Sequence, residues 1–230
     1  MEVCCLGWAQ VLLFMVYEFI RRFLRENDLT APFEIPQMCF VSAALACSQL
    51  GVEKDRDLYL LEERIYTSSG MEGKFRKYLN NRTAVPFYCV DEVDQTRALF
   101  LSFSQHYQYF RAFKMLFVSD YSGGSTLLTD PQIMSAPEFS KAGKHLFADG
   151  NVSTGFASFE VDHMCNHFCH FFKLPTDYAV WDGIPKSVAV IPPVGSGSGV
   201  NVQTPIIIPS TGFTKAMDIS DRTATPTTYV

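Results

Sequence analysis

The sequence predicts an α+β domain that ends near residue 180 and is followed by a flexible tail. Three observations carry that expectation. An apolar run near the start places Leu6, Gln10, Leu13, Tyr17, Ile20 and Leu24 at helical spacing, so 3–26 reads as one helix. A short apolar segment, 114–119, reads as a buried strand that empties into the polar turn Asp120-Tyr121-Ser122-Gly123-Gly124-Ser125. An aromatic-rich stretch, 156–172, reads as helix and carries a cluster of His and Cys.

The first helix stops at Asn27-Asp28. Residues 4–20 are apolar except for Gln10 and Glu18, and Arg21, Arg22 and Arg25 follow. That run is shorter than the ~20 residues a membrane span needs, and Glu18 lies inside it. Glu2 is acidic and no small-residue cleavage site follows, unlike a signal peptide. A buried core helix is therefore expected, and no membrane partner. Residues 37–48 are apolar and rich in small side chains, which fits strand or helix. Residues 57–62 read as a strand entering a turn, and Thr67-Ser68-Ser69-Gly70 as a loop. Residues 91–109 have the composition of a helix with an aromatic end. From about residue 180 the composition shifts to Pro192-Pro193, Gly195-Ser196-Gly197-Ser198-Gly199 and a closing Thr/Pro stretch, with one apolar patch, Pro205-Ile206-Ile207-Ile208-Pro209. Such a segment stays flexible. The expected division is a domain over 1–179 and a tail over 180–230.

Hydrophobic residues make up 47% of the 230, with 20 Phe and 10 Tyr, enough for a substantial core. The net charge of −5 argues against a nucleic-acid partner, which needs a basic face. Seven cysteines at irregular spacing make no disulfide framework, so reduced thiols, some of them ligands, and a cytoplasmic location are expected.

His163-Met-Cys165-Asn-His-Phe-Cys169 is the sharpest local feature. On a continuous helix, Cys165 and Cys169 share one face, and His163 can swing in at the helix start. Three such ligands suit Zn²⁺, which takes a tetrahedral set of four in a structural site. His106 and His145 are candidates for the fourth, with His167 and His170 as alternatives on the same helix. Buried Cys and His that only pack are the competing reading; the H-x-C-x-x-x-C spacing favours the metal.

Asp120 ends a strand, and Asp130 follows in Leu127-Leu128-Thr129-Asp130-Pro131. Two acids at the mouth of a Gly- and Ser-rich loop suit Mg²⁺ and a nucleotide. Mg²⁺ is usually held by one or two carboxylates plus phosphate oxygens, and a second acid can orient an attacking hydroxyl. On spacing alone, two turn-capping aspartates are the simpler reading.

The order of these pieces resembles a known family. His106-Tyr107-x-Tyr109, a strand, Asp120-x-x-Gly123, Leu128-Thr129-Asp130-Pro131, Gly150-Asn151 and His163-x-Cys165-Asn166-x-x-Cys169 are similar to the C-terminal lobe of the alpha-type protein kinases. These are the atypical Ser/Thr kinases of the myosin heavy chain kinase and elongation-factor kinase kind. Upstream, 72–81 resembles the family's G-x-(F/Y)-x-K-(Y/F)-x-x-N segment, and Leu61-Glu62-Glu63-Arg64-Ile65 looks like its hinge. The match covers roughly residues 2–175. It implies a two-lobed protein-kinase-like fold, with a curtailed N-terminal lobe over about 1–65 and a C-terminal lobe over about 66–179. It also implies transfer of the ATP γ-phosphate to Ser or Thr of a protein substrate, with Mg²⁺ and a structural Zn²⁺.

By that resemblance Asp120 is the catalytic aspartate and Asp130 the Mg²⁺ ligand. Lys77, Asn81 and Asn151 match positions near the nucleotide. Glu62, ahead of Glu63, matches the hinge acid that meets the adenine. Glu2 falls where a helix glutamate orients the phosphate-binding lysine. His106, His163, Cys165 and Cys169 match the four zinc ligands. The chain also departs from the pattern. Ser122 stands where many members carry a Gln that helps hold Mg²⁺. The glycine-rich segment reads Asn151-Val152-Ser153-Thr154-Gly155, and about six residues, 66–71, are extra after the hinge. The strands bearing the phosphate-binding lysine are expected upstream of residue 1, and no lysine precedes Lys54. A zinc-stapled pseudokinase acting as a binding module is accordingly the alternative to an active enzyme.

Overall fold

The computed structural model describes residues 2–48, 57–66, 74–140, 147 and 152–178. The expected tail over 180–230 lies outside the described residues, as do Asn151, His145 and the loop 67–70.

Helix α1 (Glu2–Glu26) buries Cys5, Leu6, Ala9, Leu12, Leu13, Val16 and Ile20 along one stripe, as its 3.6-residue period requires. Each large aliphatic side chain on that stripe contributes about 1.5–3 kcal/mol by leaving water. Beside the stripe, half-buried aromatics pack on helix α2 (Glu92–Arg111): Tyr17 stacks on Phe100 at 5.6 Å and Phe19 on Tyr107 at 4.3 Å. By length and hydropathy α1 could also cross a membrane, but its inner face is committed to the core. Two polar side chains of α1 hold the next segment. The Tyr17 hydroxyl accepts from the Met38 N–H and donates to the Pro36 carbonyl, both at 2.8 Å, and the Gln10 carboxamide accepts from the Phe40 N–H at 3.0 Å. Burial pushes the Tyr17 phenol up to about 12, so it stays a neutral donor.

That anchored segment enters the sheet. Strands β1 (Cys39–Phe40), β2 (Ala43–Cys47) and β3 (Leu58–Glu62) show that 37–48, open between strand and helix in the sequence, is extended. β2 and β3 form an antiparallel pair with Ala43 opposite Glu62. β1 instead runs parallel to β7 (Leu127–Thr129), which pairs with β6 (Ser122–Gly123), which pairs with β4 (Arg76–Lys77). The sheet order is β1-β7-β6-β4. Part of the turn expected over 120–125 is thus a central strand. β5 (Leu116–Ser119) and β8 (Gln132–Ser135) make a separate antiparallel pair.

Helix α2 is capped by Asp91, whose side chain accepts from the Asp94 N–H. It ends where Phe113 and Lys114 take left-handed backbone, φ 55° and 60°. That turn delays β5 to Leu116, two residues later than the sequence suggests. The expected continuous helix over 156–172 is corrected. After the short α3 (Pro137–Ser140) come α4 (Ser153–Ala157), α5 (Phe159–Asp162) and α6 (His167–Phe171), with 163–166 non-helical. Asn166 causes the second start: its side chain accepts from the Phe168 N–H and donates to the Leu99 carbonyl at 2.9 Å. An asparagine that caps is worth more there than in a helix interior.

Candidate active site and metal cluster

Asp120 follows β5 in left-handed backbone, φ 59°, and Asp130 follows β7 in the same state, φ 49°. Aspartate tolerates this region better than most side chains. The register of the sheet sets what surrounds them. Lys77 lies opposite Ser122, which lies opposite Thr129 on the other side, so one cross-strand row runs Lys77–Ser122–Thr129 beside both acids. From it the Lys77 ammonium reaches Asp120 Oδ1 at 2.5 Å. Asp120 is buried at 5% exposure, so the ion pair is shielded on the carboxylate side while Lys77 stays half-exposed.

Asp130 has its pKa raised above the ordinary carboxylate value. Partial burial is the main cause; the negative charges of Asp120 and Glu2 add to it, and Lys77 opposes it. The two acids, Lys77 and the helix-start Glu2 therefore share one field. The Thr129 hydroxyl donates to Glu62 Oε2 at 2.9 Å, which brings the end of β3 next to Asp130. Glu63 instead accepts from the Ser42 N–H at 3.1 Å and faces away along the β2–β3 pair. Asn81 donates to Gln132 Oε1 at 2.6 Å, beside the Ser119–Gln132 pair that closes β5. Ser122 is buried, and its hydroxyl lies 3.4 Å from the Asp120 carbonyl as donor. Thus Asp120, Asp130, Lys77, Ser122, Glu62 and Glu2 come together, with Asn81 at the rim. Asn151 lies outside the described residues.

Two relationships are not visible in the sequence. One is the Lys77–Asp120 ion pair, which depends on cross-strand register. The other is Gly155, where an added Cβ would lie 2.2 Å from the Asn81 carbonyl oxygen. The altered glycine-rich segment keeps a glycine where its backbone presses on the site.

The second constellation draws on three helices and the linker between two of them. His106 comes from α2, His163 from the C-terminal end of α5, Cys165 from the linker and Cys169 from α6; one ligand atom from each lies within 4.8 Å of all the others. Cys165 and Cys169 do not share a helix face, because Asn166 starts a new helix between them. Cys165 Sγ lies 3.7 Å from His106 Nδ1, and Cys169 Sγ 3.7 Å from His163 Nε2. A tetrahedral ion with bonds of 2.0–2.3 Å has edges of about 3.5 Å, so the four donors fit one. Ser102 Oγ sits 3.4 Å from His163 Nδ1 and fixes that ring from behind. Burial, then the neighbouring His163, pulls the His106 pKa down to about 4, so its imidazole is neutral, the ligating form. Hydrogen bonding from Cys169 draws the Cys165 thiol well below its usual range, and the shared proton and burial drive Cys169 the other way. Of the alternatives, His167 packs edge-on to Phe33 at 4.9 Å, and neither it nor His170 belongs to the cluster; His145 is outside the described residues.

A family model, the Alpha-kinase family, matches residues 12–169. Among curated proteins none matches. Among solved structures the chain is similar to the alpha-kinase domain of myosin-II heavy chain kinase A with a phosphorylated aspartate. Identity there is 23%, over 75% of this chain and 60% of that one, with a TM-score of 0.47. It is similar to the apoenzyme of the same domain (22% identity, 75% and 59% covered, TM-score 0.48) and to an inactive form in complex with ATP (22%, 75% and 59%, 0.48). The chain spans about 60% of the length of these domains. On the match over 12–169, this chain belongs to the alpha-kinase family.

Proposed function

We propose that the chain is an ATP-dependent protein serine/threonine kinase of the cytoplasm that transfers the γ-phosphate of ATP to a protein substrate. The observation that carries this reading is the pairing of Asp120 and Asp130 on two left-handed turns, with Lys77 on Asp120. Phosphoryl transfer needs positioning and charge neutralisation more than covalent chemistry. Asp120 orients the substrate hydroxyl and takes its proton. Lys77, half-exposed beside it, faces the phosphates. Asp130 holds Mg²⁺, which when bound supplies the charge that offsets the phosphate oxygens. Glu62, Asn81, Glu2 and Asn151 are the remaining nucleotide-binding residues of this reading. Ser122 supports the Asp120 turn. The His106, His163, Cys165 and Cys169 set holds a structural Zn²⁺ that ties α6 to α2, with no ligand position left for water. A domain over 1–179, with its lobes meeting near residue 65, completes the reading.

The test is transfer of labelled phosphate from Mg-ATP to a basic protein or to the chain itself, with Asp120→Ala alongside and zinc measured on the same sample. Transfer that vanishes in the variant is expected. Folded protein holding about one zinc per chain but showing no transfer would overturn the reading.

One observation favours a second reading, a zinc-stapled binding module. Ser122 is buried and its hydroxyl is turned to the Asp120 carbonyl, rather than standing free as a metal ligand. A module of this kind keeps its partner affinity in Asp120→Ala; an enzyme loses its product.

A further inference from the structure

Among the described residues, strand β5 pairs with β8 on one side only. In an antiparallel pair every second residue turns both its N–H and its C=O away from the partner strand. Val118, opposite Ile133, turns both toward α2, where no strand among the described residues receives them. Two glutamines do so instead. The Gln108 carboxamide oxygen accepts from the Val118 N–H at 2.9 Å, and the Gln105 amide donates to the Val118 carbonyl at 2.9 Å. Both side chains are fully enclosed, at 1% and 0% exposure. Gln108 makes a second bond: its amide donates to the Tyr121 hydroxyl at 3.2 Å. Val118 is two residues before Asp120 and Tyr121 is one after it, so a single side chain grips the chain on both sides of that aspartate. The Tyr121 carbonyl is held in turn by the Tyr78 N–H at 2.8 Å, next to Lys77.

We infer that Gln108 is a positioning residue for phosphoryl transfer, with Gln105 as its complement, and that the 105–108 turn of α2 acts as a surrogate strand fixing the left-handed turn at Asp120. This rests on the reading of Asp120 as the catalytic aspartate. The same turn carries His106 into the metal cluster from an adjoining face, so cluster and aspartate are set by one rigid piece of helix. Gln108 belongs to neither the acid pair nor the His/Cys cluster; its effect passes through the backbone of 118–121. A misplacement on the order of 1 Å can cost about a hundredfold in rate.

The test uses the full chain with Gln108→Met, which keeps volume and removes both hydrogen bonds. Phosphate transfer, zinc content and amide hydrogen exchange are measured together. The expected result is a kcat lower by about tenfold to a hundredfold, a KM for Mg-ATP within about threefold, unchanged zinc, and faster exchange confined to 117–123. An unchanged kcat in folded protein would overturn the inference. So would kcat, KM, zinc and exchange across the whole domain all changing together, which is the pattern of general unfolding. If the unmodified chain transfers no phosphate, the kinase reading fails and the catalytic half of the inference fails with it; exchange over 117–123 then decides the structural half alone, faster exchange in the variant supporting Gln108 as the clamp on the Asp120 turn and unchanged exchange overturning it. Should Gln108→Met not fold, Tyr121→Phe, which removes one hydroxyl, is read by the same exchange measurement and the same criterion.

Discussion

Lys77 and Asp120 stand 43 residues apart and meet at 2.5 Å because β4 and β6 are paired with Lys77 opposite Ser122. Removing the ammonium leaves Asp120 as a buried carboxylate without its counter-ion. Lys77→Met is expected to cost about 1–3 kcal/mol of stability and to lower phosphate transfer by at least about tenfold. Denaturant titration beside a transfer assay checks both. Adding Asp120→Asn should recover part of the lost stability and none of the activity, because the unpaired charge is then gone.

Asp130 carries the opposite trade. Its folded-state pKa is raised, so the folded protein holds that proton more tightly than the unfolded chain. Its ionisation therefore weakens folding as pH rises from the unfolded carboxyl's pKa toward the raised folded-state value, and the penalty is complete above that value. Asp130→Asn is expected to raise the thermal midpoint slightly at pH 7 in metal-free buffer, and to have no stabilising effect well below pH 4. Transfer should fall by at least about a hundredfold. A midpoint that drops at pH 7 would contradict the shared field of Asp130, Asp120 and Glu2.

Removal of the metal tests the second constellation. Chelation of the purified chain, or Cys169→Ser, is expected to lower the thermal midpoint by about 10 °C or more, since structural zinc affinity is folding free energy. Readdition of zinc should restore the chelated protein and not the variant. Calorimetry with metal analysis reads this directly, and a chain whose midpoint ignores chelation has no structural zinc.

Gly155→Ala places a methyl group against the Asn81 carbonyl oxygen, backbone against backbone, with no flexible side chain to yield. A loss of about 1–3 kcal/mol is expected, with a weaker affinity for nucleotide, measured by titration with a fluorescent ATP analogue. Gly7, with nothing near it, is the control: Gly7→Ala should be neutral or slightly stabilising.

The long elements were legible in the sequence because one strong period governs each. α1 follows its apolar stripe, and α2 runs from the Asp91 cap to within two residues of its expected end. The two-residue strands β1, β4 and β6 were not, because pairs such as Arg76 with Gly123 are set by partners far along the chain. The break at 163–166 was hidden for another reason. The aromatic spacing of 156–172 suits a helix, but Asn166 gains more by capping α6 and holding Leu99. The His and Cys set could be named from H-x-C-x-x-x-C and the family's motif order, yet its geometry could not, since Cys165 approaches from a linker. Gln105 and Gln108 gave no signal at all: within α2 they read as ordinary polar positions, and only the open edge of β5 gives them work.

The parallel pairing of β1 with β7 has a consequence for the order in which this chain assembles. Cys39 must find Leu127, and Phe40 must find Leu128, across nearly ninety residues. The β6–β7 hairpin that bears Asp130 closes locally and fast, whereas its outer neighbour arrives only after such a long loop is closed. On the ribosome, α1 emerges before α2 and the sheet that will cover its stripe, and waits for them. In that interval its apolar residues are the chain's main exposure to wrong partners. Chaperone demand and expression yield should therefore respond to changes along α1 more sharply than its equilibrium contribution alone would suggest.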